Sequence, residues 1–201
     1  MGRHLMSETQ IDRSKTALVV IDLQKGITSM PVFPRSSADV VANAARLAKA
    51  FRENGMPVFL VRVMPVPPLG LRPETDGQQM QRGEMPADWA EIVGEMGPEP
   101  GDVVITKRQW GAFYGTELEM QLRRRGITAI VLCGISTNVG VESTARFAYE
   151  YGFSQLFAED AMAARSQEEH DFTVKTTFPR IGKVRSTAEL LAAISRNWSG
   201  Q

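Results

Sequence analysis

Short runs rich in aliphatic and β-branched residues recur along the chain, with helix-like stretches between them: Thr16–Asp22, Pro57–Val63, Asp102–Lys107, Thr128–Cys133, Ser154–Ala158 and Arg180–Arg185. Strand-sized runs alternating with helical spacing describe βαβ units, and such units wind into a parallel sheet. The first, second and fourth runs are nearly unbroken Val, Ile, Leu and Phe, as in strands covered on both faces. An α/β chain of this kind binds ligands beyond the carboxyl ends of its strands, where strand order reverses.

Between the first two runs, Asp39–Asn54 places Val40, Ala44, Leu47, Ala48 and Phe51 at helical spacing and ends at Gly55, which predicts an amphipathic helix. Later helices are expected to start at the capping-box pairs Thr116…Glu119, Ser166…Glu169 and Ser186…Glu189, where a hydroxyl and a carboxylate satisfy free N–H groups reciprocally. The stretch Met64–Pro100 breaks the rhythm with prolines and glycines, and only Ala87–Met96 suggests a short helix. A connection that long in a compact domain reads as a lid or a subunit-interface arm. Trp89, Ile92 and Met96 give it something to bury.

The 201 residues are expected to form one domain over 9–201, behind a short expression scar and flexible terminus at 1–8. Twenty-three basic residues balance 23 acidic ones without dense clustering, which argues against nucleic-acid and membrane-surface partners and for a small-molecule substrate. No apolar run approaches the ~20 residues of a spanning helix, and the N-terminus shows no secretory pattern, so a cytoplasmic protein is expected. A single cysteine permits no internal disulfide, and His170 is the only histidine beyond the terminal scar. A His-rich metal site is therefore not expected, and the nucleotide-loop, dinucleotide and zinc motifs are missing, so no cofactor is expected.

The strand ends carry the polar candidates. Asp22 follows an apolar run, where its carboxylate needs a partner or a proton, and Lys107 at the end of the third run is the natural partner. Each also reads as an ordinary structural residue when taken alone. Cys133 lies within A-I-V-L-C and reads as core. His170 sits in the polar stretch S-Q-E-E-H-D and reads as a surface helix residue, which leaves the serines and threonines after the fourth run without a base.

Three pieces in this order, A-L-V-V-I-D-L-Q around Asp22, I-T-K-R-Q-W-G-A-F around Lys107 and V-L-C-G-I-S-T-N-V-G-V-E-S-T-A-R around Gly140, resemble the isochorismatase-like hydrolases of the cysteine hydrolase superfamily. The resemblance spans roughly Thr16 to Arg185. It implies a three-layer, Rossmann-like α/β/α sandwich with a six-stranded parallel sheet ordered 3-2-1-4-5-6, a homo-oligomer, and a non-proline cis peptide at Ile135–Ser136. With that order, Lys107–Phe113 passes near Asp22.

Most of the superfamily are amidases with an Asp–Lys–Cys triad, and the cysteine aligns with Gly140, so covalent acyl-enzyme chemistry is excluded there. The resemblance therefore implies the subgroup with glycine at this position, to which isochorismatases proper belong. In that reading Asp22 protonates the methylene carbon of a vinyl ether, water attacks the oxocarbenium ion, and Lys107 holds a substrate carboxylate or the water. Substrate contacts are expected from Ser136, Thr137, Asn138, Arg108, Trp110 and Phe113, with Arg62, Arg72, Arg82 and Arg108 as candidate anchors for an anion. Isochorismatases commonly have Tyr-Ala-His where this chain has Ser136-Thr137-Asn138, and the metal ligands of nicotinamidases are missing after the second run. A non-catalytic binding protein of the same fold and an amidase in which Asp22 activates water are the alternatives.

Overall fold

The computed structural model describes residues 9–64, 74–76 and 85–196. The expected terminal scar at 1–8, Arg72 and Arg82 lie outside the described residues, as does part of the 64–100 segment. Its core is a six-stranded sheet in the order β3-β2-β1-β4-β5-β6, built from β1 (Thr16–Ile21), β2 (Val58–Val63), β3 (Val103–Lys107), β4 (Ala129–Ile135), β5 (Ser154–Ala163) and β6 (Lys183–Arg185). Every pairing is parallel. The reversal of strand order falls between β1 and β4, so their carboxyl ends flank the crevice such sheets use for ligands.

Alternating strand residues feed two cores. Leu18, Val20, Leu60 and Val131 face one layer, where α2 (Ser37–Glu53) contributes Val40, Ala44, Leu47, Ala48 and Phe51, and α7 (Thr187–Ser195) contributes Leu190 and Ile194. Val19, Ile21, Phe59 and Leu132 face the other, against Leu118 and Leu122 of α3 (Leu118–Arg124), Ala145 and Ala148 of α4 (Glu142–Glu150), and Phe178 of α6 (Phe178–Ile181). Phe157 and Phe178 stack with ring centroids 3.9 Å apart. The remaining helices are α1 (Lys25–Thr28) and α5 (Gln167–Phe172). Among the described residues, no helix is long and apolar enough to cross a membrane.

Several local expectations differ from what forms. The strand expected over Arg180–Arg185 is confined to Lys183–Arg185, because Pro179 presets a helical turn through Ile181. At Gly182 a Cβ would lie 2.7 Å from the Gln155 carbonyl oxygen, so the chain passes β5 too closely for a side chain. The capping boxes at Ser166 and Ser186 form. The one expected at Thr116 does not: α3 starts at Leu118, and the Thr116 hydroxyl donates instead to the Ala112 carbonyl at 2.5 Å.

The helix expected over 87–96 is replaced by turns and a single 3₁₀ turn at Gly94–Met96. The carbonyls of Trp89 and Glu91 accept from the N–H groups of Gly26 and Lys25, and Val93 N–H donates to Leu23 O, so these groups bond the loop after β1, while the N–H groups of Trp89 and Glu91 close only single turns onto Pro86 and Asp88. Met96 is fully buried under α2, while Trp89 and Ile92 are half-buried.

The closest strand contact is at Gly134, which has φ +124 and would place a Cβ 2.0 Å from the Ile21 carbonyl oxygen. Only glycine fits where both the left-handed backbone and the neighbouring strand forbid a side chain. We expect Gly134→Ala to lose more than about 3 kcal/mol of stability, or not to fold, measured by urea denaturation. A loss below about 1 kcal/mol would show that β1 and β4 can separate there without consequence.

Candidate active site

The sheet ends β1, β3 and β4 by carrying three residues into one place. Asp22 follows β1 with φ +53, a left-handed backbone uncommon outside glycine but tolerated by Asp. Its N–H still completes the ladder, donating to Val61 O at 2.9 Å. Lys107, the last residue of β3, reaches back across β2 so that Nζ lies 2.8 Å from Asp22 Oδ2. Both are nearly sealed, with 5% of Asp22 and 2% of Lys107 exposed.

The ammonium also donates to the carbonyls of Gln109 at 3.2 Å and Trp110 at 3.0 Å. An ammonium has three hydrogens, and here all of them have acceptors. Lys107 therefore folds the chain after β3 over Asp22. Asp22 Oδ1 is buried without a hydrogen-bond partner among the described residues. Burial pushes the Asp22 carboxyl up to about 6, while the charge and hydrogen bond of Lys107 pull against that rise.

Gly140 completes the group. It lies in a wide helical turn, Thr137–Val141, that runs from β4 into α4. The Ser136 carbonyl accepts from the N–H groups of Val139 and Val141, both at 3.1 Å, and the Ile135–Ser136 peptide is cis. A Cβ on Gly140 would lie 3.2 Å from Asp22 Oδ2, 3.5 Å from Lys107 Nζ and 3.0 Å from Ile21 Cγ2. A side chain at this position would thus point at the ion pair.

Residues 16–189 match the isochorismatase domain. The chain belongs to the isochorismatase family. It is 52% identical over 192 residues to the uncharacterized isochorismatase family protein YwoC of Bacillus subtilis, covering 94% of this chain and 100% of that one. The solved structure of an isochorismatase family protein from Burkholderia thailandensis superposes with a TM-score of 0.88 at 43% identity, covering 94% of this chain and 100% of the other. A probable isochorismatase of Pseudomonas chlororaphis is 30% identical, over 92% of this chain and 89% of its own length. The ureidoacrylate amidohydrolase RutB of Variovorax paradoxus is also 30% identical, over 85% and 79% respectively. The fold and domain of this isochorismatase-family hydrolase are thus shared with proteins of two reaction classes.

The other residues singled out from the sequence scatter around this centre. Ser136 and Asn138 are half-buried in the approach to Gly140, with Ser136 Oγ donating to Asn138 Oδ1 at 3.3 Å. Thr137 is buried, and its hydroxyl meets His170 Nδ1 at 2.9 Å. Phe113 belongs to the second core, stacked on Phe153 at 5.8 Å, and so packs away from solvent. Arg108 is exposed, as is Trp110 at 66%. Arg62 pairs with Thr106 in register and bonds its hydroxyl, and the next pair, Val63 with Lys107, faces the other way. Arg62 is thereby on the sheet face opposite Lys107.

Two side chains that bind this region together were not legible from sequence. Gln24 is fully buried: its amide oxygen accepts from Val63 N–H at 2.8 Å and its amide nitrogen donates to Val63 O at 3.1 Å, tying the loop after Asp22 to β2. Thr144 donates to Gly140 O at 2.7 Å and accepts from Ala112 N–H at 3.0 Å, tying the Gly140 turn to the chain after Lys107. A polar residue right after I-D-L was a signal for Gln24; Thr144 had none. Cys133 lies on β4 in the first core, fully buried, and burial pushes its thiol up to about 12. It stands outside the site. A concavity of about 670 Å3 opens at the opposite, amino-terminal edge of the sheet, lined by Lys15, Thr128, Ser154 and Lys183, and includes none of the site residues.

Because the folded-state value of Asp22 lies above its ordinary 3.8, its contribution to stability is greatest at low pH and is lost as pH rises to about 6. We expect the Asp22 carboxyl carbon to titrate by NMR with a midpoint near 6. A midpoint near 4 would mean that the ion pair outweighs burial.

Proposed function

We propose that this chain hydrolyses a small, anionic molecule by proton transfer from Asp22, without a covalent nucleophile. The observation that carries the reading is Gly140: the position that faces the ion pair at 3.2 and 3.5 Å from its two charged atoms has no side chain to attack with. The reading takes the chain as one of the glycine-bearing members of its family, with no thiol beside Asp22.

The reaction this arrangement favours is cleavage of a vinyl ether of the isochorismate type. A carboxyl whose value is near 6 retains its proton at mildly acid pH, so burial keeps Asp22 in the acid form that the reaction needs. Asp22 protonates the terminal methylene carbon, and the electron pair of the C=C bond forms the new C–H bond. Water adds to the oxocarbenium carbon and returns a proton to Asp22. The hemiketal then collapses to the alcohol and pyruvate, so one water is consumed and no redox change occurs. Lys107 holds the carboxylate that Asp22 becomes between the two proton transfers and, through its two carbonyl contacts, keeps residues 109–110 over the site. Of the arginines considered for an anionic substrate, Arg108 is the described one adjoining the site, whereas Arg62 faces the other side of the sheet.

A second reading, amide hydrolysis by water that Asp22 activates as a base, is supported by the equal 30% identity to an amidohydrolase. The two differ in the protonation state they need. Vinyl-ether cleavage uses protonated Asp22 and falls as pH rises above about 6, and water activation uses the carboxylate and rises over the same interval. We expect pyruvate release from isochorismate with such an acid-side profile, and roughly 10²–10⁴-fold slower turnover in Asp22→Asn. Ammonia release from amide substrates with the opposite profile would replace this reading by the amidase. Ligand binding with no turnover above the Asn variant would replace both by a binding protein.

A further inference from the structure

Gly140 faces the ion pair from a turn that is contacted on each side of it, by His170 of α5 and by Thr173, the residue that follows α5. His170, only 2% exposed, has Nδ1 2.9 Å from the Thr137 hydroxyl, three residues before Gly140. Thr173 donates its hydroxyl to Glu142 Oε2 at 2.8 Å, two residues after Gly140. His170 and Thr173 are three apart in continuous helical backbone, so their side chains share a face. That face meets Thr137 before Gly140 and Glu142 after it.

The other edge of the imidazole faces Glu159. His170 Nε2 lies 4.0 Å from Glu159 Oε2, and that carboxylate is held by Arg35, whose guanidinium bonds both its side chain and its backbone carbonyl at 3.1 Å. Nε2 thus faces a carboxylate beyond hydrogen-bond distance, and the bonded edge of the ring is Nδ1, against Thr137. Burial, with Arg35 and Lys175 adding to it and Asp171 opposing it, pushes the imidazole down to about 4, so the ring is neutral near neutrality. Nothing in the proposed chemistry uses His170, yet it is a buried titratable group fixed to the segment on which that chemistry depends.

We propose that His170 is a positioning residue which, with Thr173, clamps the Thr137–Val141 turn so that Gly140 stays against Asp22 and Lys107. The margin is small, because the Cβ direction of Gly140 is within 3.0–3.5 Å of three neighbouring atoms. A shift of about 1 Å would break or over-tighten that contact with Asp22 and Lys107, and misplacement on that scale changes rates by orders of magnitude. The inference rests on Gly140 being part of the reactive site, but its test needs no substrate.

The test installs a reporter thiol with Gly140→Cys and follows its alkylation by iodoacetamide across pH. The one native cysteine, Cys133, is buried and its thiol is held near 12, so it stays silent. Against the Gly140→Cys parent, Thr137→Val and His170→Ala are each expected to change the alkylation rate by about fivefold or more, or to shift its pH midpoint by at least about 0.5, and their combination to do no more than either alone. His170→Asn, which returns an acceptor oxygen near the Nδ1 position, should stay within about twofold of the parent. In the chain without the added cysteine, Thr137→Val should speed hydrogen exchange of the amides of residues 138–141 about tenfold while sparing those of β1, a difference that general destabilisation does not produce. If His170→Ala does not fold, Thr137→Val decides alone, with Thr137→Ser as its rescue. Unchanged alkylation and exchange in folded Thr137→Val would overturn the proposal and leave His170 as a core contact. Because neither readout involves turnover, failure of the hydrolytic reading leaves this result standing, and the converse also holds.

Discussion

The buried ion pair between Asp22 and Lys107 sets the terms for everything around it. Two opposite charges 2.8 Å apart and almost out of reach of solvent are tolerated only where further hydrogen bonds offset their desolvation. Lys107 meets that condition fully, through Asp22 Oδ2 and two backbone carbonyls. Asp22 does not, because Oδ1 has no partner among the described residues. The asymmetry matters chemically. A saturated ammonium has no reason to lose its proton or to move, whereas an under-bonded carboxylate in an apolar setting gains by accepting one.

The pair can exist only because the backbone delivers its two ends from different strands. Lys107 closes an edge strand and Asp22 closes a central one, with β2 between them. Parallel register and the left-handed turn at Asp22 direct the carboxylate sideways toward Lys107. On the other flank, the contact of Gly134 with Ile21 draws β4 against β1, so that the chain leaving β4 runs directly beside Asp22. Side chains missing at two glycines therefore do different work. Gly134 allows two backbones to touch, and Gly140 lets the turn after β4 lie close against the charges.

Much of this was legible in the sequence because the relevant signals are local. A carboxylate straight after four apolar residues, a lysine closing another such run and a glycine inside an otherwise well-formed helix start each conflict with their surroundings. That the three meet follows from strand order, which periodicity alone does not contain and which came from the family resemblance. What escaped was whatever depends on packing between distant segments. The stretch around His170 looks like any solvated helix, and its burial is decided by the Thr137 turn and by Glu159 on β5, which only the fold brings to it. The chain over 87–93 looks helical, yet its carbonyls bond the loop after β1, because that loop offers N–H groups that would otherwise lack acceptors.

These constraints bear on how a substrate could be recognised. If Lys107 turned toward a substrate carboxylate, it would have to release either Asp22 or the carbonyls that hold the 109–110 backbone over the site, and each is a buried contact whose loss leaves an unsatisfied group. On the proposed reading, charge recognition falls to the rim, where Arg108 is exposed and has no committed acidic partner among the described residues. The proton of that proposed reaction has one natural seat, Asp22 Oδ1, because Oδ2 is already bonded to the ammonium. A carboxyl group with one oxygen anchored and the other free to carry a proton can deliver it without moving. The proposed reaction would thus separate binding from chemistry: the lysine fixes where the acid sits, the turn fixes what lies against it, and the rim selects what enters.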